Sequence, residues 1–291
     1  MILVAGATGS LGRHLTRTLL DDGKPLRVLV REGSPYDELV AAGAEPVIAD
    51  LKDPDSLATA CAGVDSVVTT ANATARGGAD TIESVDRQGN LDLVDAAEAA
   101  GVRRFLFVSA LGARPGHPLP LLNAKGETEQ RLRESGMAWT VVQPNLYMDK
   151  LIPIVVGGPA LAGQPVTLVG DGRRHHSYVA MRDVAAYLRA TLDHPRAQRQ
   201  TLVVGGPQPL SWRDIIAAFE RELGYPVPVH TVEPGEPVPG RPEFITELLT
   251  MLETYDSPLD VSGLASTYGV TPTPLAEYVR GFVTANRVHA G

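Results

Sequence analysis

Cysteine is nearly absent from this 291-residue chain, and the one copy, Cys61, excludes both an intramolecular disulfide and a thiolate cage for a metal. Its apolar, helix-patterned surroundings point to core packing. No His-Glu-x-x-His pattern occurs, and the adjacent His175 and His176 point to opposite sides of an extended segment, so no metal site is expected. Positive charge is also in short supply: 26 Lys and Arg against 34 Asp and Glu leave a net charge of -8. Without a basic stripe to displace counterions, non-specific nucleic-acid binding is excluded. Arg103-Arg104 and Arg173-Arg174 are too short to form one and read as local contacts or solvated faces. No apolar run reaches bilayer-spanning length, so no membrane partner is expected. A first strand starting at Ile2 leaves no room for a signal or transit peptide, which makes cytoplasm the expected location. Internal repeats and a low-complexity tail are missing as well.

What the chain does contain begins at Gly6-Ala7-Thr8-Gly9-Ser10-Leu11-Gly12. This glycine-spaced turn follows a short strand, Ile2-Leu3-Val4, and opens into a helix whose apolar face carries Leu11, Leu15, Leu19 and Leu20. A diphosphate needs backbone N–H groups at close range and a helix N-terminus aimed at it, and residues without side chains allow both. The spacing is G-x-x-G-x-x-G. Leu26 to Val30 reads as a buried second strand, and the residue at its tip sets the coenzyme. An acidic residue there accepts from a ribose 2′-hydroxyl, whereas a 2′-phosphate calls for a cation. Arg31 stands at that tip, with Ser34 nearby as a hydroxyl donor and Arg13 as added positive charge, so NADP(H) is the expected coenzyme.

Strand and helix patterns then alternate: Glu45 to Asp50, a helix opened by Asp53-Pro54, Val64 to Ala71, a helix from Asp80 to Ala100, Arg103 to Ala110, a helix from Leu122 to Ser135, and a strand at Trp139 to Gln143. Such alternation predicts an α/β fold, a doubly wound parallel sheet of Rossmann type. Beyond Pro144 the pattern breaks into Gly- and Pro-punctuated pieces, read as a smaller C-terminal substrate-binding lobe. The expected division is 1-150 for the coenzyme domain and 151-291 for that lobe, partly interleaved with the sheet. Strands are expected at Val166 to Val169 and Thr201 to Val204. Helices are expected at Arg182 to Leu192, Trp212 to Leu223 and Pro242 to Tyr255, with Ser211 and Asp214 capping the second.

The glycine turn, Arg31, Ala49-Asp50-Leu51, Phe107-Val108-Ser109-Ala110, Lys125-Gly126-Glu127-Thr128-Glu129, Gly170-Asp171-Gly172 and Arg182-Asp183-Val184-Ala185 occur in an order that resembles the NmrA-like, atypical short-chain dehydrogenase/reductases. The resemblance spans essentially the whole chain. It implies NADP(H) at the C-terminal edge of the sheet and members that reduce quinones or related acceptors, alongside members that only sense the coenzyme. Carried over by position, Asp50 and Leu51 lie near the adenine, though Asp50 is equally suited to capping the next helix. Ala71 and Asn72 pass beside the ribose and diphosphate, and Gln143 with Pro144 faces the nicotinamide. Many relatives carry Arg-Pro at those last positions, so Gln143 removes a cation. Asp183 is expected to serve as a helix cap.

Ordinary short-chain dehydrogenases place a tyrosine four residues before the lysine, where the ammonium lowers the phenol's pKa. Leu121 fills that position. Lys125 remains, assigned to the nicotinamide ribose and to an acceptor's developing oxyanion, unless it is a surface residue paired with Glu129. Ser109 and Tyr147 complete the candidate catalytic set, the first to polarise an acceptor oxygen and the second as a phenolic donor. The resulting expectation is a reductase passing hydride from NADPH to an electron-poor small molecule such as a quinone or enone. Its rival is a non-catalytic NADP(H) sensor acting through a protein partner, and an epimerase or dehydratase that recycles its coenzyme is a third option. A homodimer is compatible with each.

Overall fold

Short aliphatic runs bounded by glycine and polar turns form the strands, and amphipathic segments between them form the helices. The structure, a computed structural model, describes residues 1–73 and 77–287. Its elements run β1 (Ile2–Ala5), α1 (Ser10–Asp21), β2 (Leu26–Val30), α2 (Asp37–Ala41), β3 (Glu45–Ile48), α3 (Pro54–Cys61), β4 (Ser66–Thr69), a π-helix (Ile82–Gly89) continuing into α4 (Asn90–Ala99), β5 (Arg104–Val108), α5 (Pro120–Glu134) and β6 (Ala138–Pro144). They continue as α6 (Met148–Ile152), α7 (Gly158–Leu161), β7 (Val166–Val169), α8 (Met181–Leu192), β8 (Gln200–Val204), α9 (Trp212–Leu223), β9 (Val229–Val232), α10 (Glu243–Leu252), α11 (Ser262–Tyr268) and α12 (Leu275–Arg287).

Two compact units result. The first gathers Met1–Pro144, Met181–Val203 and Tyr268–Val270; the second gathers Asn145–Ala180, Val204–Thr267 and the chain from Thr271 onward. The division therefore falls after Pro144, not at 150, and the chain re-enters the first unit twice.

The first unit is built on a seven-stranded sheet of order β3-β2-β1-β4-β5-β6-β8. Strands β1 to β6 pair in parallel, with Ile2 opposite both Leu26 and Ser66. The order reverses at β1 and β4, so the crevice beyond their C-terminal ends is the place where such sheets take ligands. Leu3, Leu29, Val67, Phe105, Phe107 and Val141 form one buried cluster with Leu57, Cys61, Leu93, Val94 and Leu132 of α3, α4 and α5. Alternate strand residues turn to the opposite face, where α1 and α8 pack together and Arg189 pairs with Asp22. Burial pushes the Cys61 thiol up to about 11, as core packing requires.

Two readings of the first unit change. Arg104 is no solvated residue: its buried guanidinium donates to the carbonyls of Leu192, Thr191 and Ala138 and to Thr140 Oγ1. The segment expected as one helix from 80 to 100 is π-helical before it is α-helical. Asn90 sends Nδ2 back to the Val85 carbonyl at 2.9 Å and receives Thr69 Oγ1 at 3.1 Å, which widens the turn where the helix meets the sheet.

The second unit pairs β7 and β9 in parallel. Its core collects Val155, Val166, Tyr178, Trp212, Phe219, Leu249 and Val279. Helix α9 starts as the capping box that the sequence indicates: Ser211 Oγ receives the Asp214 N–H at 3.1 Å, and the Ser211 N–H reaches Asp214 Oδ2 at 2.9 Å. His175 and His176 do point apart. His175 is exposed, whereas His176 is buried with Nε2 donating to the Leu252 carbonyl at 3.1 Å and Nδ1 accepting from Ser257 Oγ at 2.8 Å. Helices α6, α7, α11 and α12 and strand β9 have no counterpart in the sequence reading; α6, α7 and β9 are too short for a repeating pattern to show, whereas Leu275, Val279 and Val283 give α12 a regular helical spacing.

Two outcomes follow from this packing. Ser211→Ala removes half of the capping box and should lower unfolding free energy by about 1 kcal/mol in urea titrations. Burial holds the His176 pKa below its ordinary 6.5, with the Leu252 carbonyl acting in the opposite direction, so the unfolded chain binds a proton first as pH falls. Its contribution to stability is therefore whole above 6.5 and declines on acidification until the folded-state pKa is passed. The stability-versus-pH slope below 6.5 should be shallower in His176→Gln than in the parent.

Candidate coenzyme cleft

The glycine turn is shaped by three close approaches. Gly6 has φ +82°, and a Cβ there would sit 2.7 Å from Thr70 Oγ1 and 2.8 Å from the Ala71 nitrogen. At Gly12 a Cβ would run into the Gly6 carbonyl, so this glycine lets α1 close against the turn. Gly9 is exposed and forms the N-cap of α1 with no side chain bonded over the helix end. Its neighbour Ser10 is exposed too, while Leu11 is anchored in the core. The helix thus presents first-turn N–H groups and its positive dipole end beside the β1–β4 switch point, a cradle that fits a diphosphate.

Arg13 does not add a free cation to this cradle. Its guanidinium donates to the carbonyls of Thr8 and Pro35, each at 3.0 Å, and to Glu38 Oε2 at 3.2 Å, bracing the turn against the chain that follows β2.

Gly6, Thr8, Arg31, Ser34, Asp50, Leu51 and Ala71 line one cleft together with Val85, whereas Lys125, Gln143 and Pro144 are not among its lining residues. Ser34 sits on the turn after β2, its N–H bonded to the Arg31 carbonyl at 3.0 Å. Asp50 does not cap α3; that position belongs to Asp53, and Asp50 Oδ1 instead receives the Lys52 N–H at 2.9 Å. Two residues that the sequence reading missed complete this end. Asp80 accepts from Arg31 Nη1 and from Lys52 Nζ, both at 2.6 Å. The bond to Asp80 raises the Lys52 pKa, so the ammonium stays charged throughout the neutral range.

At the exits of β4 and β5 the charges are enclosed. Lys125 is not on the surface and does not pair with Glu129. Its ammonium lies 3.3 Å from Asp86 Oδ1, donates to the Ala71 and Val108 carbonyls at 3.4 Å each, and rests over the Phe107 ring at 5.0 Å. Side-chain exposure is 7% for Lys125 and 0% for Asp86. Burial holds the lysine pKa below its ordinary value, and the neighbouring carboxylate opposes that shift. Asp86 Oδ2 receives the Ala73 N–H at 2.9 Å, so the pair grips the Ala71-Asn72-Ala73 segment at both ends while exposed Asn72 folds back on the Thr70 carbonyl at 3.3 Å.

Glu129, also missed, takes the partners expected to face an acceptor. Ser109 Oγ donates to its Oε1 at 2.5 Å, Gln143 Nε2 reaches the same oxygen at 2.7 Å, and Arg133 holds Oε2 at 2.7 Å. The Ser109 proton is thereby committed to a carboxylate. Pro144 is buried and its carbonyl accepts from the Leu111 N–H at 3.0 Å. Tyr147 belongs to the second unit, where it precedes α6, and burial raises its phenol pKa, so that it stays protonated. Asp183 lies buried in the first turn of α8. A signal for Asp86 and Glu129 was present: each falls on an apolar helical stripe, beside Val85 and Leu93 in one case and Leu132 in the other.

Among the described residues no group of three or more His, Cys, Asp or Glu side chains is placed to hold a metal, and no helix is long and apolar enough to cross a membrane.

Residues 6–195 match a family model described as NAD(P)H-binding. An NAD(P)H azoreductase of Xenophilus azovorans is 31% identical over 100% of this chain and 98% of its own length. The photosystem II assembly factor Ycf39 of Guillardia theta is 29% identical over 97% of this chain and 93% of its own. Among solved structures, the Citrobacter sp. triphenylmethane reductase complexed with NADP(H) superposes with a TM-score of 0.81 at 22% identity, covering 97% of this chain and all of that one. A glycine cradle at the switch point, cationic Arg31 in the adjoining cleft and a family match over most of the chain agree: the protein belongs to the NAD(P)H-binding family, in its NmrA-like, atypical short-chain dehydrogenase/reductase branch.

Proposed function

We propose that this protein is an NADPH-dependent reductase that delivers hydride to an electron-poor small molecule: a quinone, an enone, or a dye with an azo or triarylmethyl cation centre. The observation that carries the reading is position 121. Leu121 lies on the same helix as Lys125, one turn ahead of it, and supplies no phenol to protonate an alkoxide. An acceptor suited to this site must form a reduced product that is already weakly basic. Quinones and cationic dyes meet that condition, and the likeness to an azoreductase along its full length supports the same class.

The dihydronicotinamide supplies the hydride when bound. The chain's own residues bind and align. The Gly6–Gly12 turn takes the diphosphate, and Arg31 with Lys52 provides two cations for a 2′-phosphate, which favours NADPH over NADH. Lys125 and Asp86 fix the backbone after β4, along which the ribose and diphosphate run. Glu129 orders Ser109 and Gln143 at the ends of β5 and β6.

Steady-state NADPH oxidation should show turnover with at least one of benzoquinones, azo dyes and triphenylmethane dyes, and slower turnover with NADH. Micromolar coenzyme binding without turnover on any of them would replace the reductase with the coenzyme-sensing reading, which the likeness to an assembly factor favours. Lys125→Met leaves Asp86 buried without its ion partner and should cost about 3–5 kcal/mol of stability. Asp86→Asn added to Lys125→Met should recover much of that loss in denaturant titrations, and coenzyme affinity should weaken in the single variant because the Ala71–Ala73 backbone loosens.

A further inference from the structure

At the ribose end of the cleft a carboxylate already occupies the cations. Asp80 receives Arg31 on one oxygen and Lys52 on the other, both at 2.6 Å, and its side chain is 6% exposed against 35% for Arg31 and 29% for Lys52. Backbone geometry fixes it there. Gly77 and Gly78 adopt φ +72° and +64°, the Asp80 N–H returns to the Gly77 carbonyl at 3.3 Å, and Thr81 begins the π-helix with a capping box to Ser84. Two cations on two carboxylate oxygens reproduce the contacts that a phosphate would make with the same side chains. Asp50 adds a second negative charge 3.6 Å from Lys52 Nζ.

We infer that Asp80 is an internal competitor for the coenzyme's 2′-phosphate and thereby sets how strongly the protein prefers the phosphorylated coenzyme. The Arg31 Nη1 and Lys52 Nζ donors now held by Asp80 pass to the phosphate only as Asp80 releases them, so part of the binding energy is spent on that exchange. A coenzyme without the phosphate leaves both ion pairs in place and pays no such penalty. Asp80 therefore narrows the gap between NADPH and NADH, and both remain usable. The inference rests on the assignment of Arg31 to the ribose end made above, and it adds a residue that opposes that assignment's effect.

Isothermal titration of the full chain with NADP⁺ and with NAD⁺ at one salt concentration tests it. Asp80→Asn should tighten NADP⁺ by about tenfold and leave NAD⁺ within about twofold, as expected when a closed competing state is removed. Asp80→Ser, which also removes the charge, carries the same expectation should the asparagine variant fail to fold. Lys52→Met should weaken NADP⁺ by about tenfold with little effect on NAD⁺, as loss of one phosphate-facing charge predicts. Weaker or unchanged NADP⁺ binding in the Asp80 variants would overturn the competitor role, Asp80 then being a support for the two cations. Arg31→Ala separates the two levels of argument: an unaltered NADP⁺/NAD⁺ ratio in that variant would sink the ribose-end assignment itself, whereas a selective loss of NADP⁺ alongside unresponsive Asp80 variants would sink only the competitor.

Discussion

A buried ammonium joins four parts of the first unit. Lys125 projects from α5, meets Asp86 on the π-helix, and donates to carbonyls just past β4 and at the end of β5. Burying one charge alone is expensive, and burying a matched pair with backbone partners is tolerable only when the geometry is held on all sides. The sheet, the π-helical turn and α5 supply that hold. Because Asp86 also receives the Ala73 N–H, the ion pair determines where the chain leaves the sheet at the switch point. The glycine turn depends on the same exit, since Gly6 approaches Thr70 and Ala71 too closely for any side chain.

Two charged clusters of the first unit treat charge differently. Around Lys125 the positive charge is sealed and balanced, so its contribution is to shape and to the fixed field beside the strand ends. Around Arg31 and Lys52 the cations remain partly solvated and are shared with Asp80, an arrangement that can be exchanged. The Arg31–Lys52–Asp80 cluster is therefore open to exchange, while the strand exits behave as a rigid frame. Glu129 extends the frame by tying the ends of β5 and β6 to α5.

Much of the frame could be read from residue order. Strand β2 and helix α9 have the bounds that periodicity and the Ser211–Asp214 box indicate, because both signals are local. Arg31, Ser34, Asp50 and Leu51 meet in one cleft for a similar reason: each follows a strand whose direction the βαβ pattern fixes. Asp80 was not legible, since it lies 49 positions from Arg31 and reaches it through a glycine turn with no periodic signature. The alternative reading of Lys125, a surface pair with Glu129, follows the neighbour along the helix, whereas the partner it actually has, Asp86, becomes one only when the π-helix and α5 pack together. Ser109 and Gln143 were placed correctly on strand ends, but the buried carboxylate between them is a tertiary fact. The π-helix likewise follows from Asn90 reaching back to Val85 and receiving Thr69, contacts that helical periodicity does not encode.

The chain's two returns to the first unit bear on how the protein can be dissected. Residues 181–203 supply α8 and most of the β8 edge strand, and α8 is the helix that packs along α1. A fragment cut after residue 150 would bare the apolar stripe of α1 and leave Arg104 without the carbonyls of Thr191 and Leu192. Anyone expressing the coenzyme-binding half by itself should therefore expect an insoluble product, and a soluble version would have to splice the α8–β8 hairpin back on through a short linker.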